Sequence, residues 1–257
     1  MRGVADNRFQ RLVFLASPPL FVPFARFDVE GTEHLPVRGP VVLAGNHRSY
    51  FDIPAIVAMM RPTGRTGRIL AKRELFDVPV LGPVARRLGG IPVDRGTGGV
   101  ESMAAAREAL ERGELVCLLP QGTIPRGERF YDPVLVGRTG AARLAAATGA
   151  PVVPFGIWGS EAVWPRSSSR PRADLRHPPT VRVRVGEPFH VDGGSASADT
   201  RTIMAAIAEL LPDEARASRV PTAEEVARAT PRRRGSATGR GEGSGRGEGS
   251  GPGSTPG

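Results

Sequence analysis

The sequence predicts a single α/β domain in which helices flank a mixed, largely parallel central sheet, followed by a disordered tail. Three observations predict it. Apolar runs of strand length alternate with segments whose apolar residues recur at helical spacing. Of 257 residues, 40% are hydrophobic, enough for one core of good size. The end of the chain fails that test. From Pro212 the large apolar residues thin out, and residues 239–250 state the unit GRGEGS twice. Such a composition cannot bury enough apolar surface to offset its ordering entropy. The expected division is an apolar lead-in over 1–27, a folded domain over 28–212 and a Gly/Arg/Ser/Pro-rich disordered tail over 213–257.

Residues 12–27 (LVFLASPPLFVPFARF) form the longest apolar run, interrupted by Pro18, Pro19 and Pro23. It falls short of the ~18–20 unbroken apolar residues of a spanning helix and has no signal-peptide cleavage pattern. It reads either as an interfacial segment or as a lead-in packed on the domain. VVLA at 41–44 is a short buried strand, 53–60 a helix, 69–71 a strand and 80–88 a short helix. A strand follows at 91–93. Val100, Met103, Arg107 and Leu110 then give a helical stripe over 99–112. Residues 115–119 are a strand, 139–148 an Ala-rich helix and 152–157 another strand. Val181, Val183 and Val185 alternate with Arg182, Arg184 and Gly186, as in an edge strand with one wet face. A helix over 202–211 closes the domain.

Strand 91–93, its helix and strand 115–119 form a βαβ unit, so the two strands run parallel. Residues just past their ends then share the carboxyl edge of the sheet, where open α/β sheets bind ligands. Asp94 and Arg95 stand at one end, and Pro120, Gln121, Gly122 and Thr123 at the other.

The net charge of +9 suits anionic partners, a membrane surface among them. Lys72 is the only lysine, so nearly all positive charge is arginine. The charge is spread rather than striped and no nucleic-acid reading motif occurs, which argues against a nucleic-acid partner. Cys117, the single cysteine, can form neither an internal disulfide nor a metal cluster. No metal and no bound cofactor are expected.

The segment GNHRSYFD at 45–52 directly follows the strand VVLA. It supplies His47 and Asp52 across a strand-to-helix junction. Histidine titrates near neutral pH and suits a general base, and a carboxylate on its other ring nitrogen fixes the tautomer. The same residues admit a plainer reading, with Asp52 as an N-cap of the next helix and His47 as a loop histidine.

Four ordered blocks bear on the choice. Asn46–His47…Asp52, the segment 71–95 (AKRELFDVPVLGPVARRLGGIPVDR), the block Leu119, Pro120, Gln121, Gly122, Thr123 and the strand around Pro154 all occur at fitting intervals. Together they resemble the glycerophospholipid acyltransferase family, which includes lysophosphatidic acid acyltransferases. The resemblance implies transfer of a fatty acyl group from acyl-CoA or an acyl-carrier protein to a hydroxyl of a glycerol-phosphate lipid acceptor. The protein would be peripheral, at the cytoplasmic face of the cell membrane. It further implies that His47 is the base and Asp52 its partner, with Arg95 and Lys72 on the acceptor's phosphate. Gln121, Gly122 and Thr123 would line the acceptor site. Leu119 replaces the family's usual phenylalanine, and two departures bear on the chemistry: Gln121 replaces the usual glutamate, and Ile124 stands where a basic residue often follows. They motivate an alternative, a catalytically silent lipid-binding relative.

Overall fold

The computed structural model describes residues 8–21, 23–94 and 99–231. Seven strands form one sheet: β1 (Arg26–Glu30), β2 (Val41–Gly45), β3 (Gly67–Lys72), β4 (Ile91–Val93), β5 (Leu115–Leu118), β6 (Val152–Trp158) and β7 (Thr180–Val185). Their spatial order is β1-β7-β6-β2-β5-β3-β4. β6, β2, β5, β3 and β4 run parallel, β7 runs antiparallel to β6, and β1 lies parallel to β7. The sheet is therefore mixed and mostly parallel, as expected.

Continuous apolar runs become central strands because both faces are covered. All five residues of β2 are buried. Val41 and Leu43 join one core with Leu115, Cys117, Val153 and Phe155, under α1 (Arg8–Ala16), α2 (Pro18–Phe21) and α3 (Asp52–Met60). Val42 and Ala44 face the other core, under α5 (Val100–Glu111), α6 (Gly140–Thr148) and α8 (Ala196–Glu209). α3 meets the sheet through Ala55, Ile56, Met59 and Met60, and α6 through Ala141, Ala142, Leu144 and Ala145. Each fully buried Leu, Ile or Met side chain contributes roughly 1.5–3 kcal/mol. Pro154 lies just beyond the registered pairing with β7, where its carbonyl still accepts from the Gly186 N–H at 2.9 Å, so its missing N–H removes only the reciprocal bond at the end of that ladder. α4 (Leu81–Arg87) connects β3 to β4, and α7 (Ser160–Val163) follows β6.

Three expectations need correction. β7 is not an edge strand, because β1, unrecognised in the sequence, pairs along its outer side. The wet residue Arg184 is bound there by Asp28 at 2.8 Å and Glu30 at 3.1 Å. The closing helix begins at Ala196 rather than 202, with the Ser195 hydroxyl accepting from the Ala198 N–H. Residues 213–231, assigned to the disordered tail, carry α9 (Asp213–Arg216) and α10 (Ala223–Arg228). Ala229 buries against Ile124 and Phe130, the Tyr131 hydroxyl donates to the Glu225 carbonyl at 3.0 Å, and Thr222 with Glu225 forms a capping box. A segment poor in large apolar residues is ordered because the domain supplies the apolar surface. The rest of the assigned tail lies outside the described residues.

Candidate active site

β2 sits between β6 and β5, parallel to both, so three strand ends open side by side at one edge. The Asn46 side chain welds the first of these to its neighbour. Its amide donates to the Ile157 carbonyl at 2.9 Å and accepts from the Ile157 N–H at 2.7 Å. Gly45 makes this approach feasible, since a Cβ there would come within 2.3 Å of the Phe155 ring.

The chain then turns back on Asp52, the first residue of α3. Asp52 Oδ2 accepts from the Arg48 N–H at 2.8 Å, the Ser49 N–H at 3.0 Å and His47 Nδ1 at 2.7 Å. Its Oδ1 accepts from the Ser160 hydroxyl at 2.5 Å. A fully buried carboxylate is tolerated only with its lone pairs filled, and the amino end of a helix favours negative charge. Because the Asp52 oxygens only accept, His47 Nδ1 carries a proton, which in the neutral imidazole leaves the lone pair on Nε2. The His47 side chain is 21% exposed, so it is held by protein and still reached by solvent. Histidine and carboxylate are thus brought together as the spacing suggested.

The other site residues are placed less uniformly. Gln121, just past β5, accepts from the His47 N–H through Oε1 at 2.7 Å. Its acceptor oxygen therefore holds the histidine's backbone, where the resemblance had set it among the residues lining the acceptor site. Gly122, at φ +68, closes a turn with its N–H on the Leu119 carbonyl at 2.9 Å. That N–H is engaged in the turn and is not directed to a ligand. Thr123 is half-buried, its hydroxyl 3.4 Å from the Ile124 carbonyl. Lys72 ends β3, with β5 between its strand and β2, and pairs with Glu74 at 2.6 Å. Arg95 lies outside the described residues. A cleft of about 290 Å³ sits at the far end of the same sheet, lined by Arg73, Phe76, Asp94 and Ser102 among others, without His47 or Asp52.

Three residues of the site went unnoticed in the sequence. Ser160 completes Asp52. Arg48 has its guanidinium between the rings of Phe130 and Trp158, 4.2 and 4.0 Å from their centroids, and pairs with Glu161 at 2.8 Å. Glu161 in turn accepts from the Gly159 N–H at 3.1 Å. The available signal was positional: Ser160 and Glu161 follow the end of a strand adjacent to β2. Cys117 is fully buried, and burial pushes its thiol up to about 12, so no thiolate nucleophile arises there. Among the described residues no group of three or more His, Cys, Asp or Glu side chains could hold a metal ion.

Comparison with known proteins converges on this region. The model of the acyltransferase family matches residues 26–158, from β1 through β6. The chloroplast 1-acyl-sn-glycerol-3-phosphate acyltransferase of Arabidopsis thaliana is 29% identical over 171 residues, 65% of this chain and 45% of that protein. The 1-acyl-sn-glycerol-3-phosphate acyltransferase of Bacillus subtilis is 28% identical over 162 residues, 63% of this chain and 73% of that one. This chain thus spans less than half the length of the plant relative. Among solved structures, the 1-acyl-sn-glycerophosphate acyltransferase of Thermotoga maritima aligns with a TM-score of 0.54 at 25% identity, covering 80% of this chain and 78% of that one.

Proposed function

The chain belongs to the glycerophospholipid acyltransferase family, and from that premise we propose that it acylates the free hydroxyl of a lysophosphatidic acid-like lipid, with acyl-CoA or an acyl-carrier protein as donor. The observation that carries this reading is the His47–Asp52 pair, with Nδ1 committed to the carboxylate at 2.7 Å. His47 Nε2 takes the hydroxyl proton while the oxygen attacks the thioester carbonyl. Asp52 stabilises the imidazolium that forms. Collapse of the tetrahedral intermediate breaks the carbon–sulfur bond, and the imidazolium returns the proton to the departing thiolate. The acyl group passes directly to the acceptor, with no acyl-enzyme.

Gln121 and Ile124, the departures from the family pattern that remove a charge, have structural work that needs no negative or positive charge. Gln121 holds the His47 backbone, and Ile124 is 1% exposed beneath Ala229. They therefore lend no support to a silent, lipid-binding role. The acceptor is a membrane lipid, and we place the protein peripherally on the cytoplasmic membrane face. No helix among the described residues is long and apolar enough to cross a bilayer, while Leu12, Leu15 and Leu20 stand exposed on α1 and α2. The test is labelled acyl-CoA with a panel of lysolipid acceptors, products read by mass spectrometry. His47→Ala should lose about 10²–10⁴-fold in rate with folding intact. Retention of more than half the wild-type activity would overturn the mechanism.

A further inference from the structure

The acceptor just proposed carries a phosphate a few bonds from its reacting hydroxyl, so a cation must stand near His47. Two arginines are tied by direct contacts to His47's loop or to the turn that holds it. Arg48 is committed: its guanidinium is sandwiched by two rings and paired with Glu161. Arg138 is different. Its backbone N–H donates to the Pro120 carbonyl at 2.8 Å, which fixes it to the turn at the end of β5. Its side chain lies across Gly122: a Cβ at that glycine would come within 3.0 Å of Arg138 Nε and 3.1 Å of Cδ. The residue before Gly122 is Gln121, whose Oε1 holds the His47 N–H. The guanidinium is exposed and makes no ion pair among the described residues. Lys72, by contrast, stands on β3, already paired with Glu74.

We propose that Arg138 binds the phosphate of the acceptor and so selects phosphate-bearing lysolipids. An open guanidinium offers two parallel charge-assisted bonds to phosphate oxygens. The absence of a side chain at Gly122 gives the arginine its bed. The position where the family often carries a basic residue is Ile124 here, buried among Phe130, Tyr131 and Ala229. The positive charge reaches the same turn from the loop preceding α6 instead.

This assignment rests on the reading of His47 as the group that meets the acceptor hydroxyl, but a binding measurement tests it separately. Calorimetric titration of the full chain uses hexanoyl-lysophosphatidate and, without the phosphate, hexanoyl-monoacylglycerol. Arg138→Ala should weaken lysophosphatidate binding roughly ten- to hundredfold, leave monoacylglycerol binding unchanged and leave the melting temperature unchanged. Arg138→Lys should fall between the two. In turnover, KM for the phosphate acceptor should rise while donor KM and kcat hold. Equal lysophosphatidate affinity in wild type and Arg138→Ala overturns the proposal. So does a parallel loss for monoacylglycerol, or wild-type protein that binds no lysophosphatidate. Wild-type protein that binds through Arg138 yet transfers no acyl group sinks the proposed function and leaves the phosphate assignment standing.

Discussion

Asp52 takes bonds from four donors, and the effect of removing one depends on which. Ser160→Ala leaves Oδ1 without its hydroxyl in a fully buried place, which should lower stability by about 1–3 kcal/mol. Its effect on rate should be smaller than that of Asp52→Asn, because His47, Arg48 and Ser49 still orient the carboxylate. Asp52→Asn is harsher. The Arg48 and Ser49 N–H groups and the imidazole share one oxygen. An amide oxygen in that place keeps all three donors but without the charge that stabilises an imidazolium, and an amide nitrogen there leaves all three without an acceptor. Measured by denaturant melts and single-turnover rates, Ser160→Ala should act mainly on stability and Asp52→Asn mainly on turnover. Gln121→Glu should fold normally, since a carboxylate also accepts from the His47 N–H. Cys117 gives a further check: a buried thiol pushed up to about 12 should resist iodoacetamide in the native protein and label on unfolding. Labelling under native conditions would mean that the β5 core opens.

Arg48 joins three pieces of backbone: the loop after β2, the end of β6 and the 3₁₀ turn Gly127–Tyr131. Arg48→Lys keeps the charge but loses the planar stack on both rings, and should lower kcat while Arg48→Ala also lowers the melting temperature. The 3₁₀ turn is itself covered by α10. A chain ending at Pro212 would uncover Ile124 and Phe130, so truncation there should lower the melting temperature by several degrees, whereas a freely disordered 213–231 would predict no change. Ahead of α10, Arg219 and the Thr222 N–H hold the Glu225 carboxyl down at about 2. Because the folded value is depressed, this contact favours folding above the ordinary value of about 4.5 and fades as the pH falls toward about 2. The difference in melting temperature between wild type and Glu225→Gln should therefore shrink over that window. A constant difference would assign the effect to the neutral capping bond alone.

At the scale of the whole molecule, the proposed membrane contact is tested through the exposed apolar residues and the surplus of arginine. Leu12, Leu15 and Leu20 are exposed, and so is Val80, at 80%, with φ +68 in the turn that opens α4. A β-branched residue is strained there by roughly 1–3 kcal/mol, and no core packing demands it. Val80→Gly should relieve that strain and keep or raise the melting temperature. It should also weaken binding to vesicles rich in anionic lipid if the turn meets the bilayer. Salt should weaken wild-type binding, since exposed charges are screened over ~10 Å at 0.1 M. Unchanged vesicle binding by Val80→Gly, with Leu12→Asp equally silent, would remove these residues from the membrane contact.

The sequence by itself determined the α/β class and the central strands, from residues close together in the chain: apolar runs buried on both faces and helical stripes. In the spacing of His47 and Asp52 alone the sequence left a capping role for the aspartate open, and the pair followed only from the resemblance of four ordered blocks. The sequence did not determine the strand order, the place of β1 outside β7, or the partners that meet across distance. Ser160 stands 108 residues from the carboxylate it completes, Gln121 stands 74 from the backbone it holds, and α10 docks on a turn nearly a hundred residues earlier (94 separate Tyr131 from Glu225). Hydrophobic periodicity records which face of a segment is buried, not which neighbour buries it. That choice comes from the pairing of whole strands and the surfaces they leave exposed, and it exists only once the chain has closed.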